Sequence, residues 1–457
     1  MDSTHPDVTL GVTVLFTILL VAMIACLALE EKLHAKKSLI VSAFAVISLA
    51  LGTALHLIPF GDVVLPGGHA IQIPVYIPSV DWNVIAIIVG SSVFVDVTSR
   101  SGLFTWIAIR LTKMSKGDPL RLLWYYGWMT VLFSAVLNNV TAMIIVGSLT
   151  GVSLKKLNLT DKLMGFLLIE GLLTNVGGLL TLISSVPNII VGNAAEISFF
   201  TFFIVSSPYV LVATVVTLLL GARLYQIQSL ESESQIQKST RLVNSFDEND
   251  GIQSRGFFYL STVVLCAFIL TIATASLLPV VSQLGMGFVA LAFATFMLIR
   301  YKSEVDQFYR AIDWDLIAFF AALFMVIHVM EHALVLELIG KGIQWIIGEG
   351  GALGQATLLL CSSVFSSVTD NIPLAAMLAK ILSAAGTAND SGLWWSLIFG
   401  ANLGGNLTPI GSASTLVAVT IIHKYELKLS FTGFVKAAVP FALCHITLAV
   451  LYVFLVF

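Results

Sequence analysis

Charged side chains are scarce in this sequence. Lys, Arg, Asp and Glu make up 11% of the 457 residues, whereas hydrophobic residues make up 58%. A soluble chain of this length needs a more charged surface, so the mean hydropathy of +0.97 indicates a polytopic membrane protein. The net charge is only −3 and indicates no particular partner. We expect a lipid bilayer around the chain and no nucleic acid bound to it.

Cysteine and nucleotide-binding motifs are also lacking. The four cysteines have no CxxC spacing and lie in apolar runs, where we interpret them as small buried hydrophobes, which leaves a thiol-based metalloid site unsupported: Cys26, Cys266, Cys361 and Cys444. The phosphate-binding pattern GxxxxGK[ST] is absent as well, so ATP-driven transport within this chain is unsupported. We therefore expect neither an enzyme nor a cofactor.

What the sequence does contain is a long internal repeat. The segment FSAVLNNVT at 133–141 returns as FSSVTDNIP at 365–373, and DWNVIA at 81–86 returns at the same spacing as DWDLIA at 313–318. We call this constant spacing, which takes Phe133 to Phe365, the repeat offset. Each copy of the first motif places a polar pair inside an apolar stretch. Two halves with one plan and a polar break at membrane depth are typical of secondary transporters.

Apolar run lengths predict an all-α chain of about ten full spans plus two re-entrant hairpins. The predicted division is N-terminal scaffold helices at 1–80, a first repeat at 81–225, a flexible linker at 226–255, scaffold helices at 256–300 and a second repeat at 313–457. Each repeat is expected to contain a hairpin and a broken helix, at 120–155 and 162–192 in the first copy and at 352–386 and 392–422 in the second.

The basic residues predict the orientation. If the N-terminus lies outside, cytoplasmic segments contain 21 of the 23 Lys and Arg residues, which agrees with the positive-inside rule. The second copy then begins inside and the first outside, so the repeats are predicted to be inverted. Both termini are expected to be extracytoplasmic, the 226–255 linker cytoplasmic, and the protein to lie in the plasma (inner) membrane.

Two further motifs mark the broken helices: TNVGGLLTLISSVPN at 174–188 and ANLGGNLTPIGSAST at 401–415. Non-helical backbone cannot face lipid, so these breaks must line a cavity or be packed in protein. Together with the hairpin tips, they resemble the ion transporter superfamily over 81–457. That superfamily includes arsenite pumps, NhaD-type sodium/proton antiporters, the P protein, silicon effluxers and citrate or dicarboxylate carriers. The resemblance implies a homodimer with a scaffold domain and a transport domain that moves as an elevator.

Carried over residue by residue, the resemblance implies two sites for a small ion or anion. The expected binding residues are Asn138, Asn139, Thr141, Thr174, Asn175 and Gly177 in the first half and Thr369, Asp370, Asn371, Asn402, Asn406 and Thr408 in the second. Na⁺ would use oxygens from Asn139, Asn175, Asp370, Asn371 and Asn402. Neither tip has the Ser-Asn-Thr motif of the carboxylate carriers, which weakens a dicarboxylate assignment.

Two carboxyl groups within predicted membrane segments are candidates for proton coupling, Asp370 at the second tip and Glu170 in the first broken helix. The first hypothesis is therefore a Na⁺/proton antiporter in which Asp370 exchanges the two ions, with H⁺ and/or Na⁺ as the coupling ion. Efflux of arsenite, silicic acid or a similar oxyacid is an alternative, because Asn and Thr side chains would hydrogen-bond its hydroxyls. Na⁺- or H⁺-coupled citrate or dicarboxylate transport is a second alternative, although the sequence shows no obvious fixed cation for a multiply charged anion.

Overall fold

The computed structural model describes residues 8–58, 62–64, 70–74, 76–302, 305–348 and 351–457, and most of these residues are helical. The α-helices of the first half are α1 (Leu10–Ala28), α2 (Glu30–Leu33), α3 (Lys37–Ala54), α4 (Trp82–Ser99), α5 (Leu103–Ser115), α6 (Pro119–Val136), α7 (Asn139–Lys156), α8 (Leu163–Gly178), α9 (Val186–Ala194), α10 (Phe199–Leu224) and α11 (Glu233–Asn244). Those of the second half are α12 (Arg255–Ala273), α13 (Pro279–Arg300), α14 (Val305–Ala311), α15 (Trp314–His332), α16 (Val335–Ile347), α17 (Ala352–Val368), α18 (Asn371–Ala384), α19 (Gly392–Gly404), α20 (Ala413–Lys424) and α21 (Phe431–Val456). Short 3-10 helices cover Thr160–Lys162 and Ala275–Leu277.

Eight of the described helices are long and apolar enough to cross a bilayer, namely α1, α3, α4, α10, α12, α13, α15 and α21. The sequence predicted about ten spans. The two others fall on the helix pairs α8–α9 and α19–α20, each of which is interrupted and contains no helix of that length. The chain is thus an integral membrane protein with several apolar spans.

The sequence repeat is visible in the helix boundaries. Helix α16 begins and ends one repeat offset after α5, and α21 begins and ends one repeat offset after α10. Helix α18 likewise begins one repeat offset after α7, whereas α20 begins slightly less than that after α9. The segment from the start of α18 to the start of α20 is therefore slightly shorter than that from α7 to α9. The segment from α20 to α21 is correspondingly longer than that from α9 to α10.

Equivalent side chains begin equivalent helices. Asp81 accepts hydrogen bonds from the backbone N–H groups of Asn83 and Val84, and Asp313 does the same for Leu316. A carboxylate in this position satisfies backbone donors that have no partner within the helix. The indole N–H groups of the following residues, Trp82 and Trp314, donate to carbonyls five residues upstream, at 3.0 and 3.1 Å.

Packing joins the two halves. Helix α13 lies against α4, and α3 lies against α15, while within each half α6 packs on α8 and α17 packs on α19. Glycine allows the last two contacts. A Cβ on Gly177 would lie 2.7 Å from the Cα of Val131, and one on Gly404 would lie 2.2 Å from the carbonyl oxygen of Ser363. Side chains at these positions would force the helices apart.

The all-helical membrane-spanning fold is confirmed, and beside the helices Asp62–Val64 (β1) pairs with Ala70–Gln72 (β2) as a short two-stranded antiparallel sheet. Val63, Val64 and Ile71 are β-branched, and this favours extended backbone.

The linker predicted at 226–255 contains the helix α11. Glu233 in its first turn and Arg241 in its last turn match the helix dipole. Val243 is buried, and its side chain lies beside Gly117 in the α5–α6 turn. The backbone N–H of Leu230 also donates to Asp118 Oδ2 at 2.9 Å. These contacts hold the segment against the first half.

Candidate functional site

The site is built where helix ends meet: the α6–α7 and α17–α18 junctions and the breaks after α8 and α19. The same hydrogen bonds attach each junction to the neighbouring break. The Ser134 hydroxyl donates to the carbonyl of Thr174 at 2.6 Å, and the Ser366 hydroxyl donates to that of Ala401 at 2.5 Å. Both serines lie near the C-terminal end of the first helix of their pair. These bonds satisfy carbonyls at the ends of α8 and α19.

A second pair of equivalent bonds runs in the opposite direction. Thr181 in the first break donates to the carbonyl of Ala135 at 2.5 Å, and Thr408 in the second break donates to that of Ser367 at 2.5 Å. Hydroxyl groups thus replace the intrahelical partners that the interrupted backbone has lost. The polar breaks are stabilised at depth because their carbonyls have partners.

The two breaks also contact each other. Ser185 after the first break donates to Asn402 Oδ1 at 2.7 Å, and Ser412 after the second donates to Asn175 Oδ1 at 3.0 Å. Asn402 Nδ2 also donates to Asn188 Oδ1 at 2.8 Å. Asn175 and Asn402 are therefore each held by a serine from the other half of the chain.

Asn175 lies at the centre of this cluster and is fully buried. Its Oδ1 accepts from Asn139 Nδ2 at 3.3 Å, and from the hydroxyls of Ser412 and Ser414 at 3.0 Å each. Its Nδ2 donates to Asn406 Oδ1 at 2.8 Å. We call these five residues the amide cluster. It presents several neutral oxygen atoms in a buried space, and oxygen atoms are the ligands that hard cations prefer.

Asp370 occupies different surroundings. Its Oδ1 accepts from the backbone N–H of Ile372 at 3.0 Å and caps α18, while its Oδ2 is 2.8 Å from the ammonium group of Lys37 at the start of α3. The side chains are 13% and 28% exposed, respectively. Glu30 lies 3.7 Å from the same ammonium. A cavity of about 140 Å³ is lined by both members of this ion pair and by Glu30.

Glu170 is the second carboxyl group named as a candidate. It is fully buried in α8, and its Oε1 accepts from the hydroxyl of Thr150 in α7 at 2.6 Å. Its Oε2 has no hydrogen-bond partner among the described residues. A buried carboxylate without a counter-charge is costly.

Four other predicted residues lie outside the amide cluster and the ion pair. Asn138, the cap of α7, accepts from the backbone N–H of Thr141 at 2.8 Å, and Gly177 provides close helix packing. The hydroxyl of Thr369 donates to the carbonyl of Phe365 at 2.8 Å. Asn371 is buried at the first turn of α18, and no hydrogen bond of its side chain is found in the described part of the chain.

The structure groups the predicted residues differently from what the resemblance implied. Asn139 and Asn175 do meet, as the resemblance implied for the first half. The expected second group does not form by hydrogen bonds, because Asn402 and Asn406 contact residues of the first half and Asp370 contacts Lys37. Within the described residues, no hydrogen bond joins Asp370 or Asn371 to the asparagines of the breaks.

Sequence reasoning missed several members of the site. The serines of the breaks could have been found, because the spacing that aligns Asn175 with Asn402 in the two break motifs also matches Ser185 with Ser412. Lys37 was assigned to a cytoplasmic flank, and nothing in its neighbourhood along the chain indicates a partner 333 residues away. His445 was overlooked, although a lone histidine in the apolar run of α21 is a signal in itself.

Eight apolar helices around two broken helices, whose polar interruptions meet within the protein, are the architecture of a membrane transporter. Comparison with known families agrees. The chain belongs to the citrate transporter family (CitMHS), which it matches over residues 24–400, and this is a family of transporters rather than enzymes. It is therefore a secondary transporter of the ion transporter superfamily.

The individual relatives share less than a third of their residues with this chain. A 46 kDa membrane protein of Mycobacterium leprae is 29% identical over 381 residues, covering 82% of this chain and 86% of that protein. The mouse P protein is 24% identical over 448 residues, covering 82% of this chain and 53% of that longer protein. Among solved structures, the Alcanivorax borkumensis YdaH transporter has a TM-score of 0.59 at 14% identity, covering 92% of this chain and 98% of that one. This likeness shows that the fold is shared.

Proposed function

We propose that this chain transports a small carboxylate anion, coupled to the movement of a proton or Na⁺. The observation that carries this proposal is the ion pair between Lys37 and Asp370. It supplies the fixed cation that the sequence did not reveal, and it neutralises the carboxylate that the antiporter hypothesis needs as a free cation ligand. The description of the family as citrate transporters supports the same substrate class.

The ion pair suggests how an anion and a cation would be coupled. A substrate carboxylate that binds the Lys37 ammonium would compete with Asp370 for it. The released Asp370 would be an unpaired carboxylate within the protein, which is costly until a proton or Na⁺ neutralises it. Substrate and coupling cation would then bind together, because neither exchange is favourable alone.

The architecture that we propose for this function is a pair of inverted repeats in which α6–α7 and α17–α18 are re-entrant hairpins. Support comes from the matching helix boundaries and from the equivalent hydrogen bonds of Ser134 and Ser366. In this arrangement Lys37 belongs to the scaffold and Asp370 to the transport domain. Movement of the transport domain would have to break their ion pair.

A Na⁺/proton antiporter is the second candidate, and two observations favour it. The amide cluster provides neutral oxygens suited to Na⁺. Glu170 is a buried carboxyl group with an unpartnered oxygen, so it could exchange a proton. In this reading Asp370 would alternate between Lys37 and the transported cation.

The deciding experiment uses purified protein in liposomes that contain a pH-sensitive dye. Labelled citrate and succinate are supplied with an inward proton gradient, an inward Na⁺ gradient or neither, and Na⁺ is also added without any anion. We expect gradient-dependent accumulation of a carboxylate, lost in Lys37→Met and retained in Glu337→Gln, which removes an exposed ion pair of similar length. Proton movement driven by Na⁺ alone, without carboxylate accumulation, would replace this proposal with the antiporter. Accumulation of labelled arsenite instead would favour oxyacid transport.

A further inference from the structure

His445 in α21 is a fully buried ring that contacts the amide cluster without belonging to it. Its Nδ1 lies 3.4 Å from Asn406 Nδ2, and its Nε2 lies 2.6 Å from the hydroxyl oxygen of Thr217 in α10. The backbone carbonyl of His445 separately accepts from the Tyr209 hydroxyl at 3.0 Å. The ring thus links the cluster to the neighbouring helix.

On both sides of the ring, a backbone carbonyl determines which atom donates and which accepts in the hydrogen bond to His445. A carbonyl can only accept, so the Asn406 amide must turn its Nδ2 towards the carbonyl of Leu172, at 3.2 Å. Its second N–H then points at His445 Nδ1, and its Oδ1 faces Asn175. At the other end, the Thr217 hydroxyl donates to the carbonyl of Ala213 at 2.6 Å, which leaves its oxygen free to accept.

Only one form of the ring satisfies both ends. His445 must accept at Nδ1 and donate from Nε2, which is the neutral tautomer protonated at Nε2. With Asn406 held in this way, Asn175 must turn its Nδ2 towards Asn406 and its Oδ1 towards Asn139, Ser412 and Ser414. We infer that His445 is a positioning residue whose Nδ1, together with the carbonyl of Leu172, holds the Asn406 amide and through it the Asn175 amide, so that an oxygen, rather than an NH₂ group, lies at the centre of the candidate ion site.

The repeat supports a role beyond packing. His445 corresponds to Ala213 at the repeat offset, and Asn406 corresponds to Leu179 at the slightly shorter spacing that relates Asn175 to Asn402 in the two breaks. Two positions that are apolar in the first half are thus both polar in the second, and these two side chains contact each other. A packed helix pair does not need them, because the first half does without them.

The tautomer can be measured without reference to transport. Full-length protein with ¹⁵N-labelled histidine, reconstituted in nanodiscs, should show one ring among its eight histidines with an unprotonated Nδ1 and a protonated Nε2 that disappears in His445→Asn. A His445 ring protonated at Nδ1 would overturn the inference. This result does not depend on what the protein transports.

The positioning role is tested with Na⁺ as the probe, and this step rests on the Na⁺ site that the second candidate function places in the amide cluster. His445→Asn keeps an acceptor near the position of Nδ1, so the half-maximal Na⁺ concentration for thermal stabilisation should stay within about twofold of the unsubstituted protein. The double variant His445→Ala with Asn406→Leu reproduces the apolar pair of the first half and should fold. It should require at least about tenfold more Na⁺, because Asn175 is then free to turn.

The outcomes separate the two ideas. An unchanged Na⁺ requirement in the folded double variant would contradict the positioning role. If the unsubstituted protein shows the expected tautomer but does not respond to Na⁺, the Na⁺ site of the second candidate function is wrong while the assignment of the ring stands.

Discussion

The junction between α6 and α7 and the junction between α17 and α18 have the same backbone but different charges. Asn138 caps the first and Asp370 caps the second, each through its side-chain oxygen. The next residue, Asn139, contacts the amide cluster, whereas Asn371 has no hydrogen bond to it within the described residues. Among the described residues, a cationic side chain, Lys37, pairs only with the second junction.

This difference separates the contacts that hold the backbone from those that could bind a ligand. The hydrogen bonds that are duplicated, from Ser134 and Ser366 and from Thr181 and Thr408, hold interrupted backbone in place. The contacts present in one half only are those that could distinguish ligands: Lys37 with Asp370, Glu170 with Thr150, and His445 with Asn406. Variants can therefore change either an unduplicated contact and a duplicated one, or the two copies of one contact.

The largest effect is expected from the ion pair that only the second junction has. Lys37→Met and Asp370→Asn should each abolish accumulation of a labelled carboxylate in liposomes. Each should also lower the free energy of unfolding by about 2 kcal/mol, between the values for exposed pairs and for fully buried pairs, because the side chains are partly exposed. The double variant should regain most of the stability but none of the transport.

Two controls sharpen this prediction. Asn138→Ala removes the equivalent cap of the first junction, and should cost about 1 kcal/mol in stability while leaving no charge unpaired. Glu337→Gln removes a more exposed ion pair and should have no measurable effect on uptake. If Lys37→Met transported normally, the ion pair would be structural, and the proposed anion site would have to be sought elsewhere.

The next effect tests the two copies of the close helix contact. Gly404→Ala should destabilise the protein by at least about 3 kcal/mol, and Gly177→Ala by about 1–3 kcal/mol, because the new Cβ would meet a carbonyl oxygen at 2.2 Å in the first case and backbone at 2.7 Å in the second. Thermal unfolding in detergent measures the difference. Gly342→Ala, at a position where nothing lies within 4 Å of the new Cβ, is the matched control and should be neutral. Equal losses at Gly177 and Gly404 would show that the helices relax equally in both halves.

The sequence predicted those features of the chain that repeat. The motif at 133–141 and its second copy indicated both helix junctions, and the break motifs indicated where α8 and α19 would end. Local residue types decide such features, since glycine, asparagine and proline act on the backbone next to them. The β-strands were missed because each is only three residues long, and α11 was missed because it lies in a polar stretch, where tertiary contacts outweigh composition.

The contacts that distinguish the halves could not be predicted in the same way. Lys37 and Asp370 lie 333 residues apart, and the orientation of the Asn175 amide depends on Thr217 and His445 in two other helices. No spacing rule connects these positions. Family resemblance predicted Asp370 as a site residue, a prediction that remains to be tested, but did not supply its partner.

A smaller effect is expected from one of the duplicated hydrogen bonds. Ser134→Ala and Ser366→Ala should each lower the free energy of unfolding by about 1 kcal/mol, since each leaves one buried carbonyl without its donor. Ser134 also lies 2.8 Å from Asn139 Oδ1, so its loss should in addition reduce uptake, whereas Ser366→Ala should leave uptake near normal. Cysteine at either position, which keeps a weak donor, serves as the conservative control. Equal effects on uptake would mean that the amide cluster does not distinguish the halves.

The smallest effect concerns the segment that joins the halves but contacts the first. A hydrogen bond from Lys113 holds the pKa of Glu248 below its ordinary value of 4.5. Because the pKa is lower in the folded arrangement, ionised Glu248 favours docking of the segment above pH 4.5, and this contribution is lost as the pH falls through the folded pKa. Hydrogen exchange of the α11 amides, corrected for intrinsic rates, should therefore rise as the pH is lowered below 4.5.

Lys113→Met should show the faster exchange already at neutral pH, while Lys341→Met, which breaks an exposed pair in the second half, should not. Arg110 also pairs with Glu248, at 3.5 Å, so slow exchange in Lys113→Met would mean that this second ion pair or apolar contacts such as that of Val243 with Gly117 hold the segment without Lys113.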